Sequence, residues 1–289
     1  YIPDTDISPI WNPEFFGNTI MVNGNTWPFQ TVEKRRYRFR FLNGCQSRFL
    51  ILDFSNIPGV EAWQIGNEGG FLAEPVNLTA TNNNQLLMGL AERADVIVDF
   101  TNVPVGNYVL GNLGPDEPFG GGEPPDDFDF ADPATTGQIM QFRVVLAVAP
   151  DPSTPPQFLT LPAIAPLPAP ATTRPLALLE MMSADWDGPA EAMLGTVDED
   201  GNPTHEMWAD PVTQNPQVGD TELWEFYNGT ADAHPMHIHE ITFEVVNRQG
   251  LVSNEDGEAI PPFRLDGDPR PAESWENGLK DTVIAYPGE

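Results

Sequence analysis

The chain has 289 residues, and its 13 Lys+Arg stand against 43 Asp+Glu for a formal net charge of −30. Such a balance excludes a nucleic-acid groove or an anionic membrane surface as the default partner, because either would repel it. Hydrophobic residues at 40% with aromatics at 10% supply real cores, while 25 glycines and 31 prolines, about a fifth of the chain, exclude a helical bundle and favour short strands joined by turns. The length suits two domains. Cys45 is the only cysteine, which rules out an intrachain disulfide and any multi-thiolate metal cluster. No apolar run reaches the roughly 18 residues of a membrane span. Tyr1–Asp6 has neither the basic nor the apolar part of an export signal, so any such signal is expected outside these residues. Lys34 and Lys280 are the only lysines, and an acidic, lysine-poor surface has two readings, adaptation to high salt or plain solubility.

In chain order, the pattern predicts a strand over Thr19–Asn23 with Asn23-Gly24 as a turn, then an alternating strand over Tyr37–Leu42. Further short strands are predicted at Phe49–Phe54, Ala62–Ile65, Asn84–Met88, Ala94–Phe100, Asn107–Leu110 and Ile139–Val145. Regular short strands with Gly, Asn and Pro turns read as an all-β sandwich or Greek-key barrel. Residues 114–133 are acidic and dense in Gly and Pro, and read as a long, exposed, mobile loop. Pro150 to Pro175 has a proline every two or three residues, the mark of an extended, semi-rigid connection. The division expected is therefore a first domain over 1–149, a linker over 150–175 and a second domain over 176–289. In the second domain only four strands are clear, Leu176–Met181, Thr221–Tyr227, His237–Val246 and Asp281–Ala285, too few to close a sandwich.

Three of the four histidines fall in six residues, His234-Pro235-Met236-His237-Ile238-His239. In a strand, a spacing of two puts His237 and His239 on one face, and Pro235 turns His234 elsewhere. Such an arrangement serves two neighbouring metal sites better than one, and neutral imidazoles suit Cu, Zn or Fe. The opposing reading is a strand-end cluster of surface histidines with no metal. His205, without a partner in its loop, reads as a surface histidine.

The run from Trp224-Glu-Phe-Tyr-Asn228 through His234–His239 to Phe243-Glu-Val-Val246 resembles the first copper motif in the last cupredoxin domain of multicopper oxidases. Phe16–Gly24, Arg38–Asn43, Ile65–Leu72, Ala91–Phe100 and Leu279–Val283 are similar to the middle and last domains of the laccase, bilirubin-oxidase and spore-coat-oxidase branch. The resemblance implies two cupredoxin-like Greek-key β-sandwich domains, the second incomplete at its C-terminus. It makes His234 a ligand of type 1 copper, His237 of type 2 copper and His239 of type 3 copper. The implied activity couples one-electron oxidation of a small-molecule reductant, phenolic, amine, pyrrole or metal ion, to reduction of O2 to water. The family uses ten histidine ligands and a thiolate cysteine. This chain is therefore expected to be a fragment, inactive alone, whose packing partners are a first domain and a C-terminal segment, in an extracytoplasmic or secreted enzyme. A non-catalytic cupredoxin-like metal-binding or scaffold module acting with a partner chain is the other reading.

Cys45 has no histidine beside it and reads as a small packed thiol rather than the missing thiolate. Met181, Met182, Met207 and Met236 read as packing or loop residues. Glu92, Arg93 and Asp95 read as an Arg-carboxylate brace at a strand start. Asn77 and Asn228 fit the glycosylation sequon, which matters only in a eukaryotic secretory setting.

Overall fold

The computed structural model describes residues 14–185, 189–254 and 258–289. Among them the only α-helix is the single turn Leu78–Thr81, and the rest of the regular structure is β apart from two short 3-10 turns. None is long and apolar enough to cross a membrane as a helix.

The N-terminal half is a sandwich of two sheets. One has five strands, in the order Phe29–Glu33, Gln138–Val145, Gly106–Asn112, Leu50–Asp53, Gln85–Met88; the other has four, Arg36–Leu42, Arg93–Asp99, Glu61–Asn67, Gly70–Asn77. All pairings are antiparallel except Phe29–Glu33 with Gln138–Val145. The alternation in Arg93–Asp99 explains why it forms a strand here: Ala94, Val96 and Val98 are buried while the intervening residues are not, a period of two that fits one face of a pleated sheet. The two inner faces meet through Val32, Leu52, Leu86, Leu110 and Phe142 on one side and Ala62, Val76, Val96 and Val98 on the other. Phe54, Phe100 and Phe142 are fully buried, and each contributes about 1.5–3 kcal/mol through the apolar area removed from water. The Asn23-Gly24 turn forms as expected: both residues have positive φ, 51° and 79°, and join the two-residue strands Met21–Val22 and Asn25–Thr26.

Strand Leu50–Asp53 is buried on both faces, which accounts for its unbroken apolar run. Leu50 and Leu52 enter the sandwich core, whereas Phe49 and Ile51 pack with Phe119, Phe128, Ala233 and Ile284 in a second cluster between the two halves of the chain. The acidic segment 114–133 is a loop exposed over most of its length, as expected, but it is anchored at points the sequence did not mark. It has no strand or α-helix, but Phe119 and Phe128 plug the interface, and the buried Arg48 anchors its start through the Pro115 carbonyl at 3.2 Å and Asp116 at 2.5 Å. Two phenylalanines outweigh the solubility of the acidic residues around them.

The proline-dense stretch contains the 3-10 turn Pro156–Phe158. A strand then begins at Thr172, before the expected boundary, and runs to Met182. Pro175 is tolerated in it because only Glu222–Asn228 flanks that position, the antiparallel neighbour starting at Leu176. The C-terminal half has eight strands among the described residues, not four: a sheet in the order Pro203–Glu206, Pro189–Val197, Thr172–Met182, Glu222–Asn228, and the two-stranded pairs His234–His237 with Thr282–Ala285 and Asn247–Leu251 with Leu265–Pro271. Its core is small, built on Ala177, Val197, Leu251, Ala259 and Phe263.

Candidate metal centre

His234 and His237 lie on strand His234–His237, which pairs with Thr282–Ala285 in the register His234 opposite Ala285 and His237 opposite Thr282. The expected continuation to Val246 does not form. The strand stops at His237, and Glu240 takes a positive φ of 65° that a continuing strand does not accommodate. Even so, His237 and His239 come together, with ring centroids 4.9 Å apart at 54°, both exposed and with Ile238 half-buried between them. His234, three residues before His237, is half-buried on the opposite side of the strand. Among the described residues no three His, Cys, Asp or Glu groups converge on a single point, so the histidines divide as His234 on one side and the His237–His239 pair on the other.

Hydrogen bonding fixes which ring nitrogen each imidazole offers. The buried Asn228 spends its Nδ2 on the Asp232 carbonyl at 2.8 Å and the Ala285 carbonyl at 3.1 Å, so its Oδ1 is the acceptor for the Thr230 hydroxyl at 2.8 Å. The Thr230 hydroxyl thus has two acceptor-only partners for its one proton, Asn228 Oδ1 and the Asp232 carbonyl at 3.1 Å, and with the proton on either its Oγ1 accepts from His234 Nε2 at 2.6 Å. That leaves the lone pair of His234 on Nδ1. Burial lowers the His234 pKa below its usual value, and the Asp232 charge opposes the change; the ring is neutral at neutral pH, the form a metal needs. For His237 the logic is reversed: Nδ1 lies 2.8 Å from the Asp281 carbonyl, which only accepts, so Nδ1 carries the proton and Nε2 the lone pair. Two imidazoles with one nitrogen held and the other available are the donor chemistry that copper takes, and the residues present fit that ion.

Carboxylates gather on the His234 side. Burial, with the charges of Asp232 and Glu180, pushes Glu14 up to about 7; burial and Asp232 raise Glu180; burial raises Asp232, with His234 opposing. In the unfolded chain Glu14 ionises near 4.5, so the stability that the protonated form gives is full below that pH and is lost as pH rises through about 7. Glu14→Gln is accordingly expected to flatten the decline, measured as the difference between urea midpoints at about pH 5 and about pH 8. An unchanged difference would contradict the assignment.

The brace expected of Glu92, Arg93 and Asp95 exists, but not among those residues. Asp95 pairs with Arg38. Arg93 reaches Asp281 in the C-terminal half at 2.5 Å, and Glu92 receives Lys280 at 3.2 Å. Sequence reasoning missed Lys280 and Asp281 as partners, and no local pattern marks them. Cys45 is a free, half-buried thiol against the N-terminal core; burial raises its pKa, while the Arg48 charge pulls it down. Met181, Met182 and Met207 are exposed. His205 is exposed too, though on strand Pro203–Glu206 opposite Gly195 rather than in a loop. Asn77 caps the Leu78–Thr81 turn, and Asn228 is wholly buried, so the second sequon is closed to a glycan in this fold.

Nearly all-β sheets with a histidine-bearing strand of this kind, together with the solved structures they resemble, make this a cupredoxin-fold protein, and known proteins narrow the class. Residues 178–289 match the family model described as multicopper oxidase. A laccase of Bacillus subtilis (strain 168) is 35% identical over 285 residues, covering 96% of this chain and 48% of that protein. Multicopper oxidase LPR1 homolog 1 of Oryza sativa subsp. japonica is 34% identical over 256 residues, covering 86% of this chain and 39% of its own length. The crystal structure of the McoA multicopper oxidase from Aquifex aeolicus superposes with a TM-score of 0.62 at 28% identity, over 96% of this chain and 53% of that one. The chain belongs to the multicopper oxidase family. It spans about half the length, or less, of the curated relatives it matches.

Proposed function

We propose that this chain supplies part of the copper apparatus of a laccase-like oxidase that takes electrons singly from a small-molecule or metal-ion reductant and reduces O2 to water. His234 is the type 1 ligand, His237 the type 2 ligand and His239 a type 3 ligand. The observation that carries the reading is the pair of fixed imidazoles on opposite sides of one strand, His234 offering Nδ1 and His237 offering Nε2. Bound copper supplies the one-electron chemistry. The chain's own residues hold the donors: Thr230 and Asn228 keep the proton on His234 Nε2, and the Asp281 carbonyl keeps it on His237 Nδ1.

Four histidines and one cysteine do not complete the family's ligand set, and Cys45 packs against the other domain's core. A working oxidase on this reading draws further histidines and a thiolate from outside these 289 residues, from the first-domain and C-terminal parts of the family's architecture. Since the blue charge-transfer band and the electron path need that thiolate, the copper-loaded chain is expected to show no intense blue absorption and no oxidation of laccase dyes. A blue band from the purified chain would contradict the ligand accounting.

A further inference from the structure

We propose that Arg93, at the start of a strand in the N-terminal half, is a positioning residue for His237 in the C-terminal half, acting through Asp281 to hold the ring on the backbone carbonyl and so to aim Nε2 at a metal. The proposal rests on the copper reading of His237.

The segment from Asn277 to Thr282 is fastened to the N-terminal domain along its length. The Ala73 amide donates to the Asn277 carbonyl at 3.0 Å, and Leu72 bridges Gly278. Gly69 passes so close to the Leu279 carbonyl oxygen that a Cβ there would lie 1.9 Å from it, an approach open only to glycine. Lys280 enters the Glu68–Glu92 pair, and Arg93 Nη2 meets Asp281 Oδ2 at 2.5 Å while Nη1 donates to its own neighbour's carbonyl, Ala91 O, at 2.6 Å. The guanidinium is thus held at both ends.

The far side of the same segment faces the histidine strand. The Asp281 carbonyl accepts from the Ile238 amide at 3.1 Å and from His237 Nδ1 at 2.8 Å. Its carboxylate is committed elsewhere, Oδ2 to Arg93 and Oδ1 to the Thr282 hydroxyl at 2.7 Å. Oδ1 nevertheless lies only 3.4 Å from His237 Nδ1. Without Arg93 the carboxylate is left uncompensated and free to turn, and as a charged acceptor it competes with the carbonyl for the Nδ1 proton. The ring then loses its single fixed orientation. Outer-shell partners of this type set both the tautomer and the aim of a ligating imidazole.

Nitrogen-15 long-range NMR of the metal-free chain at about pH 8, where histidine is neutral, reads the tautomer directly, and four histidines are easily assigned by substitution. In the parent, His237 is expected to show a protonated Nδ1 and an unprotonated Nε2. Arg93→Gln is expected to leave the proton on Nδ1, because both acceptors face that nitrogen, but to move the Nδ1–H proton resonance downfield as the carboxylate replaces the carbonyl, and to weaken Cu(II) binding about 10-fold, the lower end for outer-shell changes. Arg93→Lys is expected to restore both, because one point charge satisfies a single oxygen. Arg38→Gln, which removes a neighbouring ion pair that does not touch Asp281, is expected to leave the Nδ1–H resonance alone. Asp281→Asn, which keeps the carbonyl and removes the competing charge, is expected to leave the resonance where the parent has it, and added to Arg93→Gln it is expected to reverse the shift and to serve if the single variant does not fold. An unmoved Nδ1–H resonance in a folded Arg93→Gln protein, or a shift that persists in the Arg93→Gln/Asp281→Asn protein, overturns the proposal. Copper that binds His237→Ala as tightly as the parent overturns the copper reading instead, whatever the NMR shows.

Discussion

Lys280→Met is expected to cost about 3–5 kcal/mol of folding stability, seen as a large fall in the urea midpoint, because it strands two carboxylates away from water. Lys280 is 4% exposed, and its ammonium lies 3.0 and 3.2 Å from the two oxygens of Glu68 and 3.2 Å from Glu92. The Glu68 side chain is wholly out of solvent. Burial works against the lysine charge, but Glu92 and Glu68 outweigh it and raise the Lys280 pKa; burial lifts Glu68 above the usual carboxylate range, with Lys280 opposing. Remove the cation, and only a backbone hydrogen bond is left to oppose the burial of Glu68. Its carboxyl is then expected to hold its proton to higher pH, so the variant's deficit shrinks as pH falls. Adding Glu68→Gln to Lys280→Met is expected to recover more than half of the loss. A single-variant loss below about 1 kcal/mol, the worth of an exposed pair, would mean that this cluster does not clamp the two domains together.

Much of the sandwich was legible because alternation is a local signal: Arg93–Asp99 buries every second residue, and Arg36–Leu42 alternates in the same way. The strands that escaped notice lack it. Leu265–Pro271 has Gly and two prolines, lies almost entirely exposed and pairs only with Asn247–Leu251, so it reads as a turn until its partner is known. Composition concealed Phe119 and Phe128 within an acidic, glycine-rich segment whose average character is that of a solvated loop. At the candidate centre the histidine spacing stood out, but the partners that fix each ring did not. Glu68 and Lys280 are 212 residues apart, and Arg93 and Asp281 are 188 apart. No window along the chain brings them together. The break at Glu240 was equally hidden, since nothing in a polar residue within an apolar run announces a positive φ.

The two halves of the chain therefore contribute differently around the histidine strand. The C-terminal half provides the histidines and the N-terminal half holds the segment on which His237 leans, through Arg93, Glu92, Glu68 and the backbone around Leu72. On the proposed copper reading, His237 held in this way is aimed for a metal before any further ligand arrives.

Calorimetric titration of Cu(II) into the chain and into a His237→Ala/His239→Ala double variant tests that account most directly. The 4.9 Å ring separation and the fixed Nδ1 proton of His237 predict that the parent binds copper at about pH 7.5 and releases it as the pH falls, because a ligating imidazole must be unprotonated. The double variant is expected to bind at least about 10-fold more weakly. Equal binding by parent and double variant would contradict the assignment of His237 and His239 as copper ligands.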